Sequence, residues 1–473
     1  MKKTLLFITF LVASLMLQAQ IKFSSFMPES VLYASSVVPI GEEDFIAIND
    51  ESYVIFNSSL EVLSKNDFDF PKLTGFVSAY QGADGGVIAL FRTYDKKEDA
   101  FNYLKLFFNE NGEISNKEEL TSISEKKKEG NVSRSITSPD GNLHAHFIFT
   151  LDKNDKLKEL IFFIFDNAGT VLESRSINPS FVNESFSFYK ALLANDGTLY
   201  FALSSKQSSK KRKDDTNEYI HILKVNEDGE TFFNYNDFEF GYMASMHMIQ
   251  LENNNLFIGG FYSADRKKNV PGRFGIVFDT EREEFLNINT ELLRKYDKNT
   301  PFQLNMICIH EMENTVVMIG EEKRMIVKYT NQGYYYEWQT KDLVICPFEK
   351  NGEMLAEKII PKHLKSAAQQ LFVNAGVIKT GNELHIISNG IYKRHLAGKG
   401  EKIAALSTQH PKTGTIVYTV SETGTLESKK VDMPNAEKRG FVRVIYADEH
   451  QAFLLFGKGK FIHFDYKLRS VTF

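Results

Sequence analysis

The stretches LKLFFNENGEI (Leu104–Ile114) and LIFFIFDNAGTV (Leu160–Val171) decide the fold. Each is an apolar run, then a tight turn rich in Asn, Asp and Gly, then the start of a second extended run. Such turns between apolar runs are typical of β-hairpins, because the turn needs residues that tolerate a positive φ. The same unit returns at Tyr53–Val62, Ile220–Thr231, Phe274–Phe285, Leu343–Met354, Ile416–Leu426 and Phe461–Val471.

A second series of hairpin turns alternates with the first. Its eight members lie at 41–44, 83–86, 139–141, 195–197, 253–255, 313–314, 380–382 and 448–450. The two series interleave one to one, so each period of roughly 50 to 70 residues holds four strands. Four-stranded units repeated around a ring are the blades of a β-propeller. The sequence therefore predicts an all-β β-propeller of four-stranded antiparallel blades, with eight blades preferred.

We expect one propeller domain over residues 20–473. Seven blades with an additional hairpin is the alternative, because the first and last blades are the shortest. Two stacked β-sandwiches are the competing architecture, but they would not alternate two hairpin types so regularly. Uninterrupted apolar runs such as Leu160–Phe165 favour strands covered on both faces. The predicted blades lie near 31–70, 73–121, 132–178, 187–237, 243–290, 303–361, 371–433 and 441–473.

Two turns resemble those of known propeller families. Ser138–Gly141 (SPDG), followed by an apolar strand, is similar to the repeat of TolB-like propellers. Asn195–Tyr200 (NDGTLY) resembles the hairpin of NHL-type propellers. Each resemblance covers one blade. It implies a propeller fold and carries no function. TolB-like proteins bind partners through the propeller, which is an analogy for this chain.

The N-terminus has the pattern of a secretory signal peptide. Lys2 and Lys3 precede an apolar run from Thr4 to Leu17, and Ala19 offers a small residue for cleavage. The run is shorter than the roughly 20 residues of a membrane-spanning helix, and no later stretch approaches that length. We expect residues 1–19 to be removed and the protein to be exported to the periplasm or the extracellular space. An uncleaved N-terminal anchor is the alternative.

Composition argues against several classes of function. The chain has 56 basic and 61 acidic residues, a balance that does not favour a nucleic-acid partner. The sequence lacks a Gly-x-Ser-x-Gly elbow, a phosphate-binding loop and a Cys-His zinc pattern, so we predict no cofactor. His144 and His146 could share one strand face, but the sequence supplies no third ligand beside them. We therefore predict no metal site.

The two cysteines test the strand assignment. Cys308 and Cys346 fall on the first and third strands of one predicted blade, with a strand between them. Two strand spacings separate their Cα atoms by about 9–10 Å, beyond the roughly 7 Å limit for a disulfide. We therefore predict two buried free thiols.

Alternating strand directions assign every loop to a face. With the strands of a blade labelled A to D, the A–B and C–D turns share one face and the B–C connections lie on the other. The first set is short and acidic, and the B–C connections are longer and basic. We predict that the basic face attracts an anionic partner, although solvated loops would explain the charges equally simply. The predicted ligand-binding residues there are Lys210, Lys211, Arg212, Lys213, Arg266, Lys267, Lys268 and Arg394.

The sixth blade has a distinctive B–C connection. Thr315–Thr330 and Tyr334–Phe348 are long extended stretches joined at residues 331–333, which predicts a hairpin protruding from the basic face. Because side chains alternate along a strand, Tyr334, Tyr336 and Trp338 would share one side. Such side chains often anchor interfaces and could stack on sugar rings. Packing of this row on the neighbouring blade is the alternative.

These features favour an exported, non-catalytic propeller that binds an acidic glycan, another anionic ligand or an envelope protein through its B–C face. We expect a monomer that does not span the membrane. The alternative is a hydrolase or lyase acting on polysaccharide at the mouth of the central channel. A third hypothesis is a structural scaffold in an envelope complex. Several His, Tyr, Arg or Glu side chains converging on the channel mouth would favour the enzyme.

Overall fold

The fold is an eight-bladed β-propeller. The computed structural model describes residues 22–26, 36–70, 74–124, 131–151, 157–178, 186–208, 216–240, 242–263, 271–293, 303–330, 333–366, 374–390, 406–407, 414–422, 426–431, 440–448, 451–460 and 463–472. These residues form eight separate sheets. The prediction of four-stranded antiparallel blades, eight in number, is confirmed.

The strands of each blade follow one another in space as they do in the chain. Blade 1 contains β2 (Ser36–Ile40), β3 (Asp44–Ile48), β4 (Ser52–Asn57) and β5 (Val62–Asp67); blade 2 contains β6 (Thr74–Gln81), β7 (Val87–Asp95), β8 (Ala100–Phe108) and β9 (Ile114–Ser124). Blade 3 contains β10 (Asn131–Thr137), β11 (Leu143–Leu151), β12 (Leu157–Asp166) and β13 (Val171–Ile177); blade 4 contains β14 (Phe186–Leu193), β15 (Leu199–Ser208), β16 (Thr216–Asn226) and β17 (Gly229–Phe240).

The second half of the chain repeats the arrangement, with two additions at blades 6 and 8. Blade 5 contains β18 (Tyr242–Gln250), β19 (Leu256–Ser263), β20 (Pro271–Asp279) and β21 (Glu284–Leu292); blade 6 contains β22 (Gln303–Glu311), β23 (Thr315–Thr330), β24 (Gly333–Glu349) and β25 (Lys358–Ser366). Blade 7 contains β26 (Ala375–Thr380), β27 (Glu383–Gly390), β29 (Gly414–Ser421) and β30 (Leu426–Val431); blade 8 contains β31 (Gly440–Ala447), β32 (Gln451–Lys460) and β33 (His463–Thr472). The two additional strands are β1 (Lys22–Phe26) and β28 (Leu406–Ser407).

The first strand of each blade lies innermost. Each of these A strands contacts the A strand of the next blade, and β31 of blade 8 contacts β2 of blade 1. The eight inner strands therefore close a ring around a central channel. At the closing boundary, the rings of Phe45 and Phe453 meet edge to face with centroids 4.6 Å apart.

The N-terminal strand completes the last blade. Strand β1 pairs antiparallel with β33, with Lys22 opposite Thr472 and Phe23 opposite Val471. Residues 22–26 were not assigned to any blade from the sequence. Blade 8 looked short for that reason: its fourth strand comes from the opposite end of the chain. The two termini of the domain are thus joined by backbone hydrogen bonds within one sheet.

The hydrophobic core is divided among the blade boundaries. Every boundary has its own cluster, from the one shared by blades 1 and 2 to the one shared by blades 8 and 1. Because a middle strand is covered on both faces, its side chains are buried without alternation. All eight residues of Leu256–Ser263 are buried, and five of the six in Leu160–Phe165 are buried.

The A–B and C–D turns lie together at one face, where hydrogen bonds join neighbouring blades. Turn glycines such as Gly141 (φ +74°) and Gly197 (φ +89°) take the conformation that the turn chemistry predicts. Asp84, Asp140 and Asp196 each accept a hydrogen bond from the backbone N–H two residues later. These carboxylates therefore stabilise turns. The bonds between blades run from Gly41 N to Gly85 O (2.8 Å), Ala83 N to Asn167 O (2.8 Å), Asp140 N to Asn195 Oδ1 (3.1 Å), Glu252 N to Glu311 Oε2 (3.0 Å) and Glu313 N to Asn382 Oδ1 (3.0 Å).

Both cysteines are free thiols, as predicted. Cys308 lies on β22 opposite Ile319, and Cys346 lies on β24 opposite Met318, so β23 separates them. Cys346 is fully buried, whereas Cys308 is only half-buried, so the prediction of two buried thiols holds fully for Cys346 alone. In the described part of the chain, no helix has the length and apolar character needed to cross a membrane.

Candidate functional site: the blade 6 hairpin

The B–C hairpin of blade 6 extends beyond its own sheet. Strand β22 pairs with β23 only as far as Lys323, and β25 pairs with β24 only as far as Trp338. Residues 324–330 and 333–337 therefore form a two-stranded ribbon, here called the hairpin ribbon, with which no other described strand pairs. Its two arms match the stretches predicted from the sequence, with Thr330 opposite Gly333 at the tip.

One side of the ribbon is entirely apolar or aromatic. The register places Met325 opposite Trp338, Val327 opposite Tyr336, and Tyr329 opposite Tyr334. Side chains directly opposite each other in an antiparallel pair lie on the same side, and so do residues two apart along each strand. We call these six side chains the aromatic face. Tyr334, Tyr336 and Trp338 share it as the alternation predicts.

The tyrosines of the aromatic face are exposed. The exposed fraction is 83% for Tyr329, 63% for Tyr334 and 44% for Tyr336, while Trp338 is half-buried at the root. The rings of Tyr334 and Tyr336 meet edge to face at 5.7 Å, and those of Tyr329 and Tyr334 are 6.4 Å apart. The alternative in which the whole row packs on a neighbouring blade therefore does not describe Tyr334 and Tyr336. Their role in binding stays a prediction.

Sequence reasoning missed the inner arm of this face. Met325, Val327 and Tyr329 lie on β23 with the same two-residue spacing as the tyrosines of β24. The two-residue spacing of Met325, Val327 and Tyr329 is visible in the sequence. Only the register of β23 against β24 shows that these side chains lie on the same side as Tyr334, Tyr336 and Trp338. A shift of one residue would have placed these side chains on the other side.

The other side of the ribbon is polar. Arg324 donates to Gln339 Oε1 from Nε at 2.9 Å and from Nη2 at 2.6 Å, and Gln339 Nε2 donates to Glu337 at 2.5 Å. Lys328 and Tyr335 lie opposite each other nearer the tip, and both are exposed. The ribbon is therefore two-sided: one side carries most of the charge and hydrogen bonding, together with Ile326 and Tyr335, and the other side is wholly apolar or aromatic.

A buried ionic cluster anchors the root of the ribbon. The ammonium of Lys362 on β25 forms an ion pair with Glu321 on β23, and both side chains are almost wholly buried. Lys323 Nζ lies 3.0 Å from the second oxygen of Glu321. The neighbouring Glu322 is also buried, and desolvation together with the charge of Asp342 raises its pKa to about 8. The cluster ties β23 to β25 where the ribbon leaves the sheet.

The predicted basic residues lie outside the described residues. Lys210, Lys211, Arg212 and Lys213 belong to the connection between β15 and β16; Arg266, Lys267 and Lys268 belong to that between β19 and β20; and Arg394 belongs to that between β27 and β29. The last two connections join strands B and C of blades 5 and 7, which flank blade 6. Strand β28, part of the blade 7 connection, pairs in parallel with β25 of blade 6, with Leu364 opposite Leu406.

The paired histidines have ordinary partners. His146 is fully buried, with Ser135 Oγ 2.9 Å from Nδ1 and Ser133 Oγ 3.3 Å from Nε2. The ring of His144 stacks on Tyr80 at 3.6 Å. Over the residues that the structure describes, no three His, Cys, Asp or Glu side chains are grouped so that they could hold a metal ion.

The inner strands bear on the alternative of an enzyme at the channel. Within the strand bounds given above, the eight A strands contain one carboxylate, that of Glu311. It forms an ion pair of 2.8 Å with Lys350 and accepts the backbone N–H of Glu252. Glycoside hydrolysis normally uses two carboxylates that face each other across the substrate. The inner strands do not provide such a pair.

Comparisons with known proteins identify only the fold. No protein-family model matches the sequence, and no curated protein matches it. The structure is similar to the Dos1 propeller, at 9% identity and a TM-score of 0.46, over 96% of this chain and 95% of that one. It is similar to the propeller domain of the Trilobed protease from Pyrococcus furiosus, at 9% identity and a TM-score of 0.36, over 85% of this chain and 94% of that one. It is also similar to Drosophila Plexin A in complex with Semaphorin 1b, at 8% identity and a TM-score of 0.36, over 96% of this chain and 88% of that one. Similarity at this level carries no argument about ligand or activity.

Proposed function

We propose that the protein is a non-catalytic binding propeller that binds an acidic polysaccharide through its B–C face, with the aromatic face of the blade 6 hairpin as the main contact. The observation that carries this proposal is the exposure of Tyr329, Tyr334 and Tyr336 on one side of a ribbon that no other strand of the blade covers. Exposed patches of this kind on a folded protein commonly mark a binding site.

The geometry suits an extended chain of sugar rings. Tyr334 and Tyr336 lie two residues apart on one strand, a step of about 6.8 Å. Tyrosine combines a flat apolar ring, which can pack on the C–H face of a sugar, with a hydroxyl that can hydrogen-bond to it. A tyrosine also loses little conformational entropy on binding, because only two side-chain torsions become fixed. Successive rings along the ribbon could therefore contact successive sugars.

The charge pattern favours an acidic polymer. The B–C connections of the flanking blades carry Arg266, Lys267 and Lys268 on one side and Arg394 on the other. A cluster of like charges near the ligand raises its association rate and gives binding a marked salt dependence.

The test is retention of the purified protein on immobilised heparin, alginate and polygalacturonate, with dextran as the neutral polymer. We expect binding to at least one acidic polymer, weaker at high salt, and no binding to dextran. Tyr334→Ala combined with Tyr336→Ala should weaken binding about tenfold, which corresponds to about 1.4 kcal/mol. Replacing Lys210, Lys211, Arg212 and Lys213 by Gln should weaken it and reduce its salt dependence.

Tyr335→Ala is the matched control. Tyr335 is 41% exposed on the same ribbon but points to the opposite side, so its loss should leave binding unchanged. Equal effects of Tyr335→Ala and the double variant would contradict a role for the aromatic face. Failure to bind any of the three acidic polymers would overturn the proposal and favour a protein partner.

We also propose that the protein is exported after cleavage following Ala19. The signal-peptide pattern supports this, and cleavage there would retain β1, which begins at Lys22. N-terminal sequencing of the protein from its native cells should give Gln20 as the first residue. A chain that retains Met1 and remains inside the cell would contradict export.

A further inference from the structure

A cavity of about 490 Å³ occupies the central channel near the ends of the inner strands. Inner-strand residues from blades 3 to 7 line it, so it belongs to the channel and not to one blade boundary. The strands end there in the A–B turns, which places the cavity on the face opposite the blade 6 hairpin. Its volume lies in the range of small-molecule sites.

The lining brings positive charge together from separate blades. Lys190 of β14 and Lys379 of β26 both line the cavity, and His310 of β22 lines it between them. Blades 4 and 7 are three steps apart around the ring, so the two lysines approach the cavity from different sides. Glu311 also lines the cavity, but its carboxylate is engaged by Lys350. The cavity therefore lacks a free counter-charge among its lining residues.

Lys190 is an unpaired, half-buried ammonium. No ion pair or hydrogen bond joins its Nζ to another described residue, and burial lowers its pKa. Burial lowers the pKa of His247 on the next inner strand, and the charge of Lys190 adds to the effect; burial and the charge of Lys379 act in the same way on His310. Burying a charge without a partner costs free energy of folding, and such groups are concentrated at functional sites.

Apolar side chains complete the lining. Ile136 and Leu192 are partly buried and lie between the polar groups around the cavity, whereas the side chains of Met248 and Ile309 are buried in the neighbouring boundary clusters. A site that mixes apolar walls with a few converging charges is typical of an organic ligand. Hydrated inorganic ions would gain little from these walls.

We propose that the channel cavity binds a small organic anion, with Lys190 and Lys379 contacting its carboxylate or phosphate groups and His310 donating or accepting one hydrogen bond. The site is independent of the aromatic face, because the two lie on opposite faces of the propeller. Two lysines on different sides of the cavity suit a ligand with two anionic groups. The apolar residues pack against the carbon skeleton that joins these groups.

The experiment is calorimetric titration at pH 7.5 with citrate, succinate, glucose 6-phosphate and inorganic phosphate. We expect saturable binding of at least one organic anion, with Lys190→Met and Lys379→Met each weakening it at least tenfold and Lys379→Arg retaining most of it. Carboxylate and phosphate probes distinguish the two headgroup chemistries. Lys97→Met removes an equal charge from an exposed B–C turn and should leave binding unchanged.

Circular dichroism and urea unfolding establish that each variant is folded. Replacing Lys190 by Met should leave the fold intact or slightly more stable, because it removes a half-buried charge that lacks an ion-pair partner among the described residues. The proposal is wrong if none of the organic anions binds, if inorganic phosphate alone binds, or if Lys190→Met and Lys379→Met both bind as tightly as the unmodified protein. Because polysaccharide retention is measured separately, either proposal can fail while the other stands.

Discussion

Arg273 Nη2 lies 2.6 Å from Glu291 Oε2 in blade 5 and donates at 2.8 Å to the carbonyl oxygen of Leu355 in blade 6. The Arg273 side chain is 2% exposed, and Glu357 of blade 6 approaches it to 3.5 Å. One guanidinium thus joins two blades through both a carboxylate and a backbone carbonyl. Such a contact adds to the apolar cluster of this boundary and to its other polar bonds, such as those from Asn287 to Asn351 O and from Asn289 to Gly352 O.

Arg273→Met should lower the free energy of unfolding by about 3–5 kcal/mol, because it removes both the ion pair with Glu291 and the hydrogen bond to the Leu355 carbonyl from a buried site. Urea unfolding followed by fluorescence measures the change. Arg282→Met is the control: Arg282 is 71% exposed, its ion contacts are 3.8 Å long, and the expected change is within about 0.5 kcal/mol. Similar losses in both variants would contradict a specific role for Arg273.

Removal of residues 22–26 should destabilise the propeller, because β33 would lose its partner strand and blade 8 its fourth strand. The lost backbone hydrogen bonds contribute about 1 kcal/mol each, so we expect a loss of about 2–4 kcal/mol. The comparison is with a chain that begins at Gln20. Light scattering should also detect association through the exposed edge of β33. Equal unfolding midpoints for the two chains would show that β1 does not stabilise blade 8.

Acid should destabilise the protein through His146. Burial lowers the pKa of this histidine to about 4 from its ordinary 6.5, with the charge of Arg92 adding to the effect. Between these values the unfolded chain binds a proton that the folded state does not, so stability falls as the pH decreases from 6.5 towards 4. His247, His310 and His385 shift in the same direction.

His146→Gln should therefore reduce this dependence. Unfolding in urea at pH 7.5 and pH 5 should show a difference between the two pH values that is about 2 kcal/mol smaller in the variant than in the unmodified protein. Between pH 7.5 and 8.5 neither protein should change through this group. An unchanged acid dependence in His146→Gln would refute the assignment.

The two cysteines should react only after unfolding. Burial raises the pKa of Cys346 to about 12 and also raises that of Cys308, so neither forms an appreciable thiolate at neutral pH. Alkylation without reductant should give two adducts by mass spectrometry in urea and few or none in the native protein. A chain that requires reductant before it can be alkylated would contain a disulfide, contrary to the strand order of blade 6.

The sequence by itself determined the two interleaved kinds of hairpin and the face to which their turns belong. The hairpin predicted at Phe461–Val471 was wrong: residues 463–472 form the single strand β33, because β1 supplies the fourth strand of blade 8. These features depend on local chemistry: Gly141 and Gly197 supply positive φ, and apolar runs such as Leu160–Phe165 indicate strands buried on both faces. The outer arm of the aromatic face was equally readable, since Tyr334 and Tyr336 obey strand alternation.

Only the tertiary structure decided the relationships between distant segments. Nothing near Lys22–Phe26 indicates that this strand pairs with β33, since the pairing joins segments more than 400 residues apart. Likewise, the convergence of Lys190, His310 and Lys379 depends on the curvature of the closed ring. A repeat specifies contacts within each blade, whereas closure and a shared channel arise from how the blade boundaries pack together.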